Sequence, residues 1–282
     1  MKPIEIIIAA INHIETHLGT SLALEKVARR LGYSRYYLHH LFTQTVGVPM
    51  HVYIQRRRLT EAARQLVYSE LPILEIALQS GYESQQAFAV IFKAMYKFPP
   101  GRFRQNREFY PLQMRFEVKA PVHDMHLTVK RSADSLIRPA RKEDTTAWMH
   151  LVRLVVDGFP CLNETEHAAT LQKYIARQHA FIMKEKNSAI GIMMLSPASG
   201  NIDFLGIHPF YRHGGIMQTH LAKAMSVMTG HQVISTTTYR RGDRADTGHR
   251  RTLTAFGFTG GEHLVEFGYP TQKMFLPNTH VF

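Results

Sequence analysis

Two stretches in the N-terminal third share one pattern of apolar and polar positions: "VARRLGYSRYYLHHLFTQTVGVP" (27–49) and "IALQSGYESQQAFAVIFKAMYKFP" (76–99). In each, a short amphipathic segment ends at a glycine, a serine follows where a helix N-cap would lie, and apolar residues then recur at helical spacing. The aligned pairs are Gly32 with Gly81, Tyr33 with Tyr82, Ser34 with Ser84, Leu38 with Phe88, Phe42 with Phe92 and Pro49 with Pro99. The pattern predicts an internal duplication of two helix-turn-helix units.

A longer helix is predicted between the two copies, from Pro49 to about Ser69. Its apolar face comes from Val52, Ile54, Leu59, Ala62, Ala63, Leu66 and Val67. The triplet "RRR" at 56–58 lies in this helix. A basic triplet is often only a solvated face. A rigid helix joining two DNA-reading units would pass close to the phosphate backbone, so we also consider Arg56 and Arg57 as phosphate contacts.

The second helix of each copy has outward positions that would face base edges in a DNA-binding helix-turn-helix. In copy one these are Arg35, Tyr36, His39 and His40, and in copy two Gln85, Gln86, Ala89 and Val90. Glutamine reads adenine, and alanine or valine touches the thymine methyl, so copy two is expected to read an A·T-leaning element or DNA shape. A surface histidine pair of no consequence is the alternative for copy one.

The pattern changes after residue 108. Residues 109–134 contain two prolines and two short alternating stretches, and we expect a linker there. From 135 onward the order of elements predicts a mixed α+β domain. Strands are expected at "LIRPA", "AFIMK", "AIGIMML", "NIDFLGIH", "VISTTT", 264–268 and 272–276, and helices at 142–156, 164–179, from about 215, and at 248–255.

Composition narrows the classes of protein that fit. The 282-residue chain carries a formal net charge of +12, which favours a polyanionic partner such as DNA, or anionic small molecules, although a basic protein without such a partner also fits. A single cysteine, Cys161, rules out an internal disulfide bond and suits a reducing compartment. No apolar run approaches the ~20 residues of a membrane span, and we expect a cytoplasmic protein.

One short stretch of the C-terminal half, "HPFYRHGGIM" (208–217), has the order of a strand end, a turn and a helix start. The strand is expected to end at Ile207, and the helix to begin about Gly215. Free N–H groups and the helix dipole attract phosphate at such a start. The glycine pair lets the backbone come close, and Arg212 adds charge. An ordinary turn would give the same pattern.

Residues 4–107, within an expected domain at 1–108, resemble the DNA-binding domain of the AraC/XylS family of bacterial transcription regulators, in particular its stress and multidrug-resistance activators. "GYSRYYLHHLF", "RRRLTEAARQL", "PILEIALQSGYESQQAFAVIFK" and "FPPGRFR" carry the resemblance. It implies seven helices, two recognition helices in successive major-groove segments, some DNA bending and contact with RNA polymerase. Val90 stands where that subgroup often has arginine. The expected DNA-binding set is Ser34, Arg35, Tyr36, His39, His40, Arg56, Arg57, Ser84, Gln85, Gln86, Val90 and Arg102.

Residues from about 136 to 277, within an expected domain at 135–282, resemble the GNAT acyltransferase superfamily through "IRPARKED", "NIDFLGIHPFYRHGGI" and "AFGF". The resemblance implies acetyl-CoA, with the pantetheine arm on backbone groups of 205–207 and the pyrophosphate on the amides of 213–217. Met217 departs from the usual glycine or alanine, and it would either crowd the pyrophosphate or turn into the core. The expected cofactor-binding set is Leu205, Gly206, Ile207, Arg212, His213, Gly214, Gly215, Ile216 and Met217.

Acetyl transfer needs a base for the ammonium proton and an acid for the leaving thiolate. A tyrosine is frequent in that superfamily where this chain has Leu253. We consider Tyr239 as a substitute acid and Asp203, Asp246 or His249 as base, with a structural or surface role as the alternative for each. No metal-ligand spacing stands out among the 17 histidines.

The sequence leads to three functional hypotheses. In the first, a DNA-binding transcription regulator, expected to be an activator, is modulated by a GNAT-like domain that binds acetyl-CoA or another small effector. In the second, a small-molecule N-acetyltransferase acetylates an amine and also regulates its own promoter. In the third, the GNAT-like fold serves only as a dimerisation or docking platform.

Overall fold

The structure, a computed structural model, describes residues 2–20, 22–117, 137–155, 162–212, 215–266 and 268–278. The chain divides into two compact units: Met1–Val122 together with Asp243–Ala245, and His123–Gly242 together with Asp246–Phe282. Within the described ranges, no helix is both long enough and apolar enough to cross a membrane.

The first unit is helical. Its described residues form α1 (Pro3–Thr16), α2 (Leu24–Leu31), α3 (Arg35–Val46), α4 (Met50–Tyr68), α5 (Ile73–Gln79), α6 (Gln85–Tyr96) and α7 (Pro100–Asn106). The seven expected helices and the duplication are therefore confirmed: α2 and α3 form one helix-turn-helix, α5 and α6 form the other, and α4 connects them.

The predicted caps explain where the second helix of each copy begins. Ser34 is the N-cap of α3 and its side chain accepts a hydrogen bond from the Tyr37 amide at 3.2 Å. Ser84 does the same for α6, accepting from the Ala87 amide at 3.1 Å. Each serine satisfies one of the amides that a helix start leaves without a partner.

The apolar residues of both copies form the core of the first unit. Leu38 and Phe42 of α3 are fully buried, as are the aligned Phe88 and Phe92 of α6. The Phe92 ring lies 4.5 Å from the Tyr96 ring and 5.3 Å from the Phe103 ring, measured between centroids. These contacts hold α6 against α7 and leave the polar side of the helix exposed.

The first unit extends further than the expected boundary at 108. Leu112, Gln113 and Phe116 are buried, and the amides of Leu112 and Gln113 both donate to Thr60 Oγ1 at 3.1 Å. The Phe116 amide donates to Tyr53 Oη, also at 3.1 Å. The expectation of a linker beginning at 109 is therefore wrong for residues 110–116, because buried hydroxyls of α4 bind this backbone. The rest of the predicted linker, 118–134, lies outside the described residues.

The second unit is a mixed α+β fold, as predicted. Its described elements are β1 (Ile137–Pro139), α8 (Thr145–Leu154), α9 (Glu164–Ala176), β2 (Ala180–Glu185), β3 (Ser188–Ser196), β4 (Asn201–Ile207), α10 (Ile216–Val227), β5 (Val233–Tyr239), α11 (His249–Ala255), β6 (Thr259–Glu266) and β7 (Tyr269–Pro277). A 3₁₀ turn, Lys142–Asp144, precedes α8, and β6 begins five residues earlier than predicted.

The described strands form one seven-stranded sheet in the order β1-β2-β3-β4-β5-β7-β6. Neighbouring strands are antiparallel except β4 and β5, which are parallel and pair only through Asn201 with Ser235 and Ile202 with Thr236. Beyond Ile202, β4 keeps its pairing with β3 but has no pairing with β5. The sheet is therefore split along part of the β4–β5 boundary.

Candidate functional sites

The outward face of α3 carries the side chains expected to read DNA. Arg35, Tyr36, His39 and His40 are all exposed, with Tyr36 at 81%. The rings of Tyr36 and His40 are parallel, with their centroids 6.5 Å apart. Arg35 forms an exposed ion pair with Glu25 at 2.9 Å, which a phosphate could replace because exposed pairs contribute little.

The outward face of α6 has a different chemistry. Gln85 and Gln86 are exposed in its first turn, and Val90 is 66% exposed one turn further on. Both glutamines offer the amide pair that adenine recognition uses, and an exposed valine offers a surface for a thymine methyl group. Arg102 of α7 is also exposed, with its guanidinium carbon 5.0 Å from the centre of the Phe98 ring. The structure thus presents all four of these side chains at the surface.

The expectation that Arg56 and Arg57 contact phosphate is wrong, because both are buried in the first unit. Arg56 is 1% exposed and Arg57 is 6% exposed. Arg56 donates through Nη2 to the Leu112 carbonyl, and Arg57 donates through Nη1 to the Gln113 carbonyl at 3.1 Å. The two guanidiniums hold the segment that follows α7, so neither is available to DNA.

Arg57 is also the centre of a buried ion-pair network. Its Nη2 lies 2.8 Å from Glu15 and 2.8 Å from Glu61, and its Nε donates to Glu15 at 2.9 Å. Burial alone lowers the pKa of Arg57, but the hydrogen bond and the charge of Glu15 outweigh burial and raise the pKa above its usual value. Arg57 therefore connects α4 to α1 as a permanently charged structural residue.

The predicted phosphate cradle is a strand end, a turn and a helix start in the second unit. After β4, a 3₁₀ turn (Pro209–Tyr211) leads to Gly215, the N-cap of α10. Gly215 has φ of +78°, a backbone conformation that side-chain-bearing residues adopt only with strain. Arg212 directly follows this turn in the sequence. Burial, followed by the charges of His150 and Arg212, lowers the pKa of His208 to about 4. His213 and Gly214 lie outside the described residues.

The departure at Met217 does not obstruct the cradle. Met217 and Ile216 are both buried and belong to the apolar core beneath α10. The thioether therefore turns into the protein. Leu205, Gly206 and Ile207 follow the end of the β4–β5 pairing, at the split edge of the sheet.

A cavity of about 310 Å³ opens at this split, inside the second unit. Its lining comes from α9, β3, β4, β5, α11, the end of β6 and the start of β7, and includes Glu166, Tyr174, Asp203, Thr238, His249 and Glu266. The volume is at the small end of the range for small-molecule sites. The cavity therefore suits a ligand of modest size.

The four candidate catalytic residues separate into two pairs. Asp203 and His249 line the cavity. Tyr239 is buried against the Tyr269 ring at 5.8 Å and does not line the cavity, and Asp246 accepts a hydrogen bond from the Gly248 amide at 2.9 Å, beside the start of α11. The structure thus gives Tyr239 and Asp246 structural positions and leaves two of the four in contact with the cavity.

Other lining residues were not predicted. Glu166 and Tyr174 come from α9, Thr238 from β5 and Glu266 from the end of β6. They have no common spacing in the sequence, so no local signal identifies them. Within the described ranges, no group of three or more histidine, cysteine, aspartate or glutamate residues could hold a metal ion.

Two recognition helices with N-capping serines, joined by a long connecting helix, define the first unit as a double helix-turn-helix DNA-binding domain. Residues 27–106 match the helix-turn-helix domain family, and the multiple antibiotic resistance protein MarA of Escherichia coli (strain K12) is 38% identical over 105 residues, which cover 35% of this chain and 83% of MarA. The chain belongs to the AraC-type helix-turn-helix family.

A second relative matches over a similar length of the chain. The HTH-type transcriptional regulator YbfP of Bacillus subtilis (strain 168) is 40% identical over 94 residues, which are 33% of this chain and 32% of YbfP. The matched part of the chain thus spans about a third of the length of YbfP.

The second unit is similar to a solved acetyltransferase of the GNAT family from Bacillus cereus. The likeness has a TM-score of 0.40 and 16% identity, and covers 50% of this chain and 95% of that structure.

Proposed function

We propose that this AraC-type DNA-binding transcription regulator reads promoter DNA with α3 and α6 and responds to a small effector bound by its second unit. The observation that carries the DNA-reading part is the exposure of two different hydrogen-bonding faces, one on each N-capped helix. We place it in the bacterial cytoplasm, as an activator that contacts RNA polymerase.

In this proposal, base reading and phosphate binding belong to different groups. Tyr36, His39 and His40 read one groove segment, and Gln85 and Gln86 read the next. Arg35, Arg102 and the amides at the two helix starts hold phosphates. Val90 adds an apolar contact where a thymine methyl is present.

Selection from a random DNA library, followed by retardation assays, tests this proposal. The selected sequence should bind at least a hundredfold more tightly than random DNA, with a steep dependence on salt. The double variant His39→Ala and Gln86→Ala should lose that preference and keep its binding to random DNA. The proposal fails if no sequence is enriched, or if the double variant keeps the full preference.

For the second unit we propose acetyl-CoA as the first candidate effector. The supporting observations are the end of the β4–β5 pairing at Ile202, the left-handed backbone at Gly215 and the inward orientation of Met217. The edge of β4 would pair with an amide-bearing arm, and the start of α10 would hold a pyrophosphate.

Calorimetric titration of the full chain with acetyl-CoA tests this part. We expect micromolar binding that Arg212→Ala weakens at least tenfold and that Arg251→Ala, an exposed arginine on α11, leaves unchanged. No heat of binding, or equal binding by all three proteins, would exclude the cradle as the site.

One observation favours a second candidate, a small-molecule N-acetyltransferase: Asp203 and His249 both line the cavity at the split edge of β4. An acceptor amine there would meet a base. Thiol release from acetyl-CoA over a panel of amines separates the two functions, because a regulator that only binds acetyl-CoA shows no turnover above background hydrolysis.

A further inference from the structure

The cavity of the second unit is lined by three carboxylates and by no lysine or arginine of the described residues. Asp203 accepts hydrogen bonds from Tyr174 Oη at 3.0 Å and from Asn201 Nδ2 at 2.8 Å, and Glu266 accepts from Thr271 Oγ1 at 2.8 Å. These donors are neutral, and among the described residues neither Asp203, Glu266 nor Glu166 is in a salt bridge. Negative charge therefore accumulates in this cavity although the chain as a whole is basic.

Of the two histidines that line the cavity, the one on α9 does not offset this charge. His167 lines the cavity, and its Nε2 accepts a hydrogen bond from Trp148 Nε1 at 3.1 Å, which requires an unprotonated nitrogen. Burial lowers the pKa of His167 to about 4, so the ring is neutral at physiological pH. Arg177 acts electrostatically on Tyr174 but does not line the cavity.

A second, independent observation points to a ligand with a polar group. Thr238 lines the cavity and is 1% exposed, and its Oγ1 has no hydrogen-bond partner among the described residues. A buried hydroxyl without a partner is costly, whereas a hydroxyl or carbonyl of a bound ligand would satisfy it. The rings of Tyr174 and Phe204 also line the cavity and provide aromatic surface for a cation.

We infer that this cavity binds a small organic ammonium ion that carries a hydroxyl group, with the cation held by Asp203 and Glu266 against the aromatic rings and the hydroxyl on Thr238. The inference rests on the proposed effector-binding role of the second unit and names the chemical class of its ligand. A permanently charged quaternary ammonium fits as well as a primary amine. Unlike an acyl acceptor, this ligand does not need to lose a proton, because the carboxylates stabilise its charged form.

Choline and its uncharged analogue 3,3-dimethylbutan-1-ol test the inference, since they have the same shape and differ in charge. Titration calorimetry of the full chain should show choline binding at least tenfold more tightly than the alcohol. Asp203→Asn and Glu266→Gln should each weaken choline binding at least fivefold. Glu262→Gln, the same change at an exposed position of β6 outside the cavity, should have no effect.

Thr238→Val tests the hydroxyl contact separately. It should weaken the binding of choline several-fold and leave that of tetramethylammonium, which has no hydroxyl, unchanged. Fluorescence of Trp148, the single tryptophan, should respond to choline because Trp148 is hydrogen-bonded to the cavity residue His167.

The inference is overturned if choline and the alcohol bind equally, if neither binds at millimolar concentration, or if both carboxylate variants bind choline like the unmodified chain. An acetyl-CoA titration of the same proteins separates this result from the proposed cofactor site. Binding of acetyl-CoA without choline overturns only the ammonium site. Binding of choline without acetyl-CoA overturns only the proposed cradle.

Discussion

The two recognition helices share a scaffold and differ in the surface that they present. Residues of α3 and α6 that are fifty positions apart in the sequence correspond to each other. Ser34 and Ser84 cap the two helices with the same hydrogen bond, and Phe42 and Phe92 are buried to the same extent. On the outside, His40 of α3 corresponds to the exposed Val90 of α6. The two copies thus share their internal contacts and differ in their outer faces.

The ends of the two helices also differ. Gly47 ends α3 with φ of +86°, and the corresponding Lys97 ends α6 with φ of +67°. Glycine adopts this left-handed conformation without strain, but lysine does not. Lys97 Nζ donates to the Ala94 carbonyl at 2.7 Å, a contact that favours the lysine rotamer at this end.

The largest expected effect tests whether the buried residues of the two copies contribute equally to the stability of the first unit. Phe42→Ala and Phe92→Ala should each destabilise the first unit by about 3–5 kcal/mol, because each leaves a cavity in a closed core. Phe92 has more ring contacts, so its loss should lie at the upper end. Urea denaturation followed by far-UV circular dichroism measures the change.

Trp148 supplies the control for these two variants. It is the single tryptophan and lies in the second unit, so its fluorescence reports on that unit. The fluorescence transition should stay where it is in the unmodified chain. If one of the two variants left the circular dichroism transition unchanged, the two copies would not contribute equally to the stability of the first unit.

The next effect distinguishes the two reading faces. Gln86→Ala and His39→Ala should each weaken binding to the selected DNA by about 1–3 kcal/mol, roughly 5-fold to 150-fold, and leave random DNA almost unaffected. Each variant should become insensitive to base substitutions in one half of the selected DNA site. The affected half should differ between the two variants. Anisotropy titrations measure this, with Gln232→Ala, an exposed glutamine of the second unit, as control. Loss in the same half would show that the faces are not independent.

A smaller effect concerns the C-terminal end of α3, which has a glycine where α6 has a lysine. Gly47→Ala should destabilise the first unit by about 1–2 kcal/mol, since alanine at this φ is strained. Denaturation by urea measures the change, and Gly230→Ala, at a glycine without a positive φ and with open space around it, is the matched control. An unchanged midpoint for Gly47→Ala would mean that the end of α3 rearranges at no cost.

The smallest effect concerns the two N-cap serines. Ser34→Ala and Ser84→Ala should each cost about 1 kcal/mol, because each removes one capping hydrogen bond. The two values should agree within the error of a denaturation curve. Ser226→Ala, an exposed serine within α10, provides the comparison for loss of a hydroxyl outside a cap. A loss confined to one copy would show that the serines are not equivalent.

Local patterns predict the scaffold of the first unit well. Glycine, serine and apolar spacing determine where a helix begins, ends and packs, and these signals lie within a few residues of one another. Local patterns do not predict the burial of Arg56 and Arg57, because that burial depends on Glu15 and on the backbone near residue 112. A basic triplet has the same local pattern whether it faces solvent or a distant partner.

The second unit shows the same limit at its site. The order of strands and helices predicts the α+β fold and the position of the turn before α10, and the structure confirms both. The cavity depends on how far β4 and β5 remain paired, and its acidic lining comes from elements between α9 and β7. Its residue type makes Tyr239 a candidate acid, whereas its burial beside Tyr269 follows only from the folded sheet.

If α3 and α6 read DNA as proposed, the difference between their outer faces gives the bound protein a direction. A dimer of identical readers recognises a palindrome, which is the same on both strands, but one chain with α3 and α6 in fixed order would recognise a sequence without twofold symmetry. Inverting such a site turns the whole protein around on the chromosome. Any surface that contacts the transcription machinery would then face away from the gene, so the orientation of the site, and not only its presence, would determine whether transcription changes.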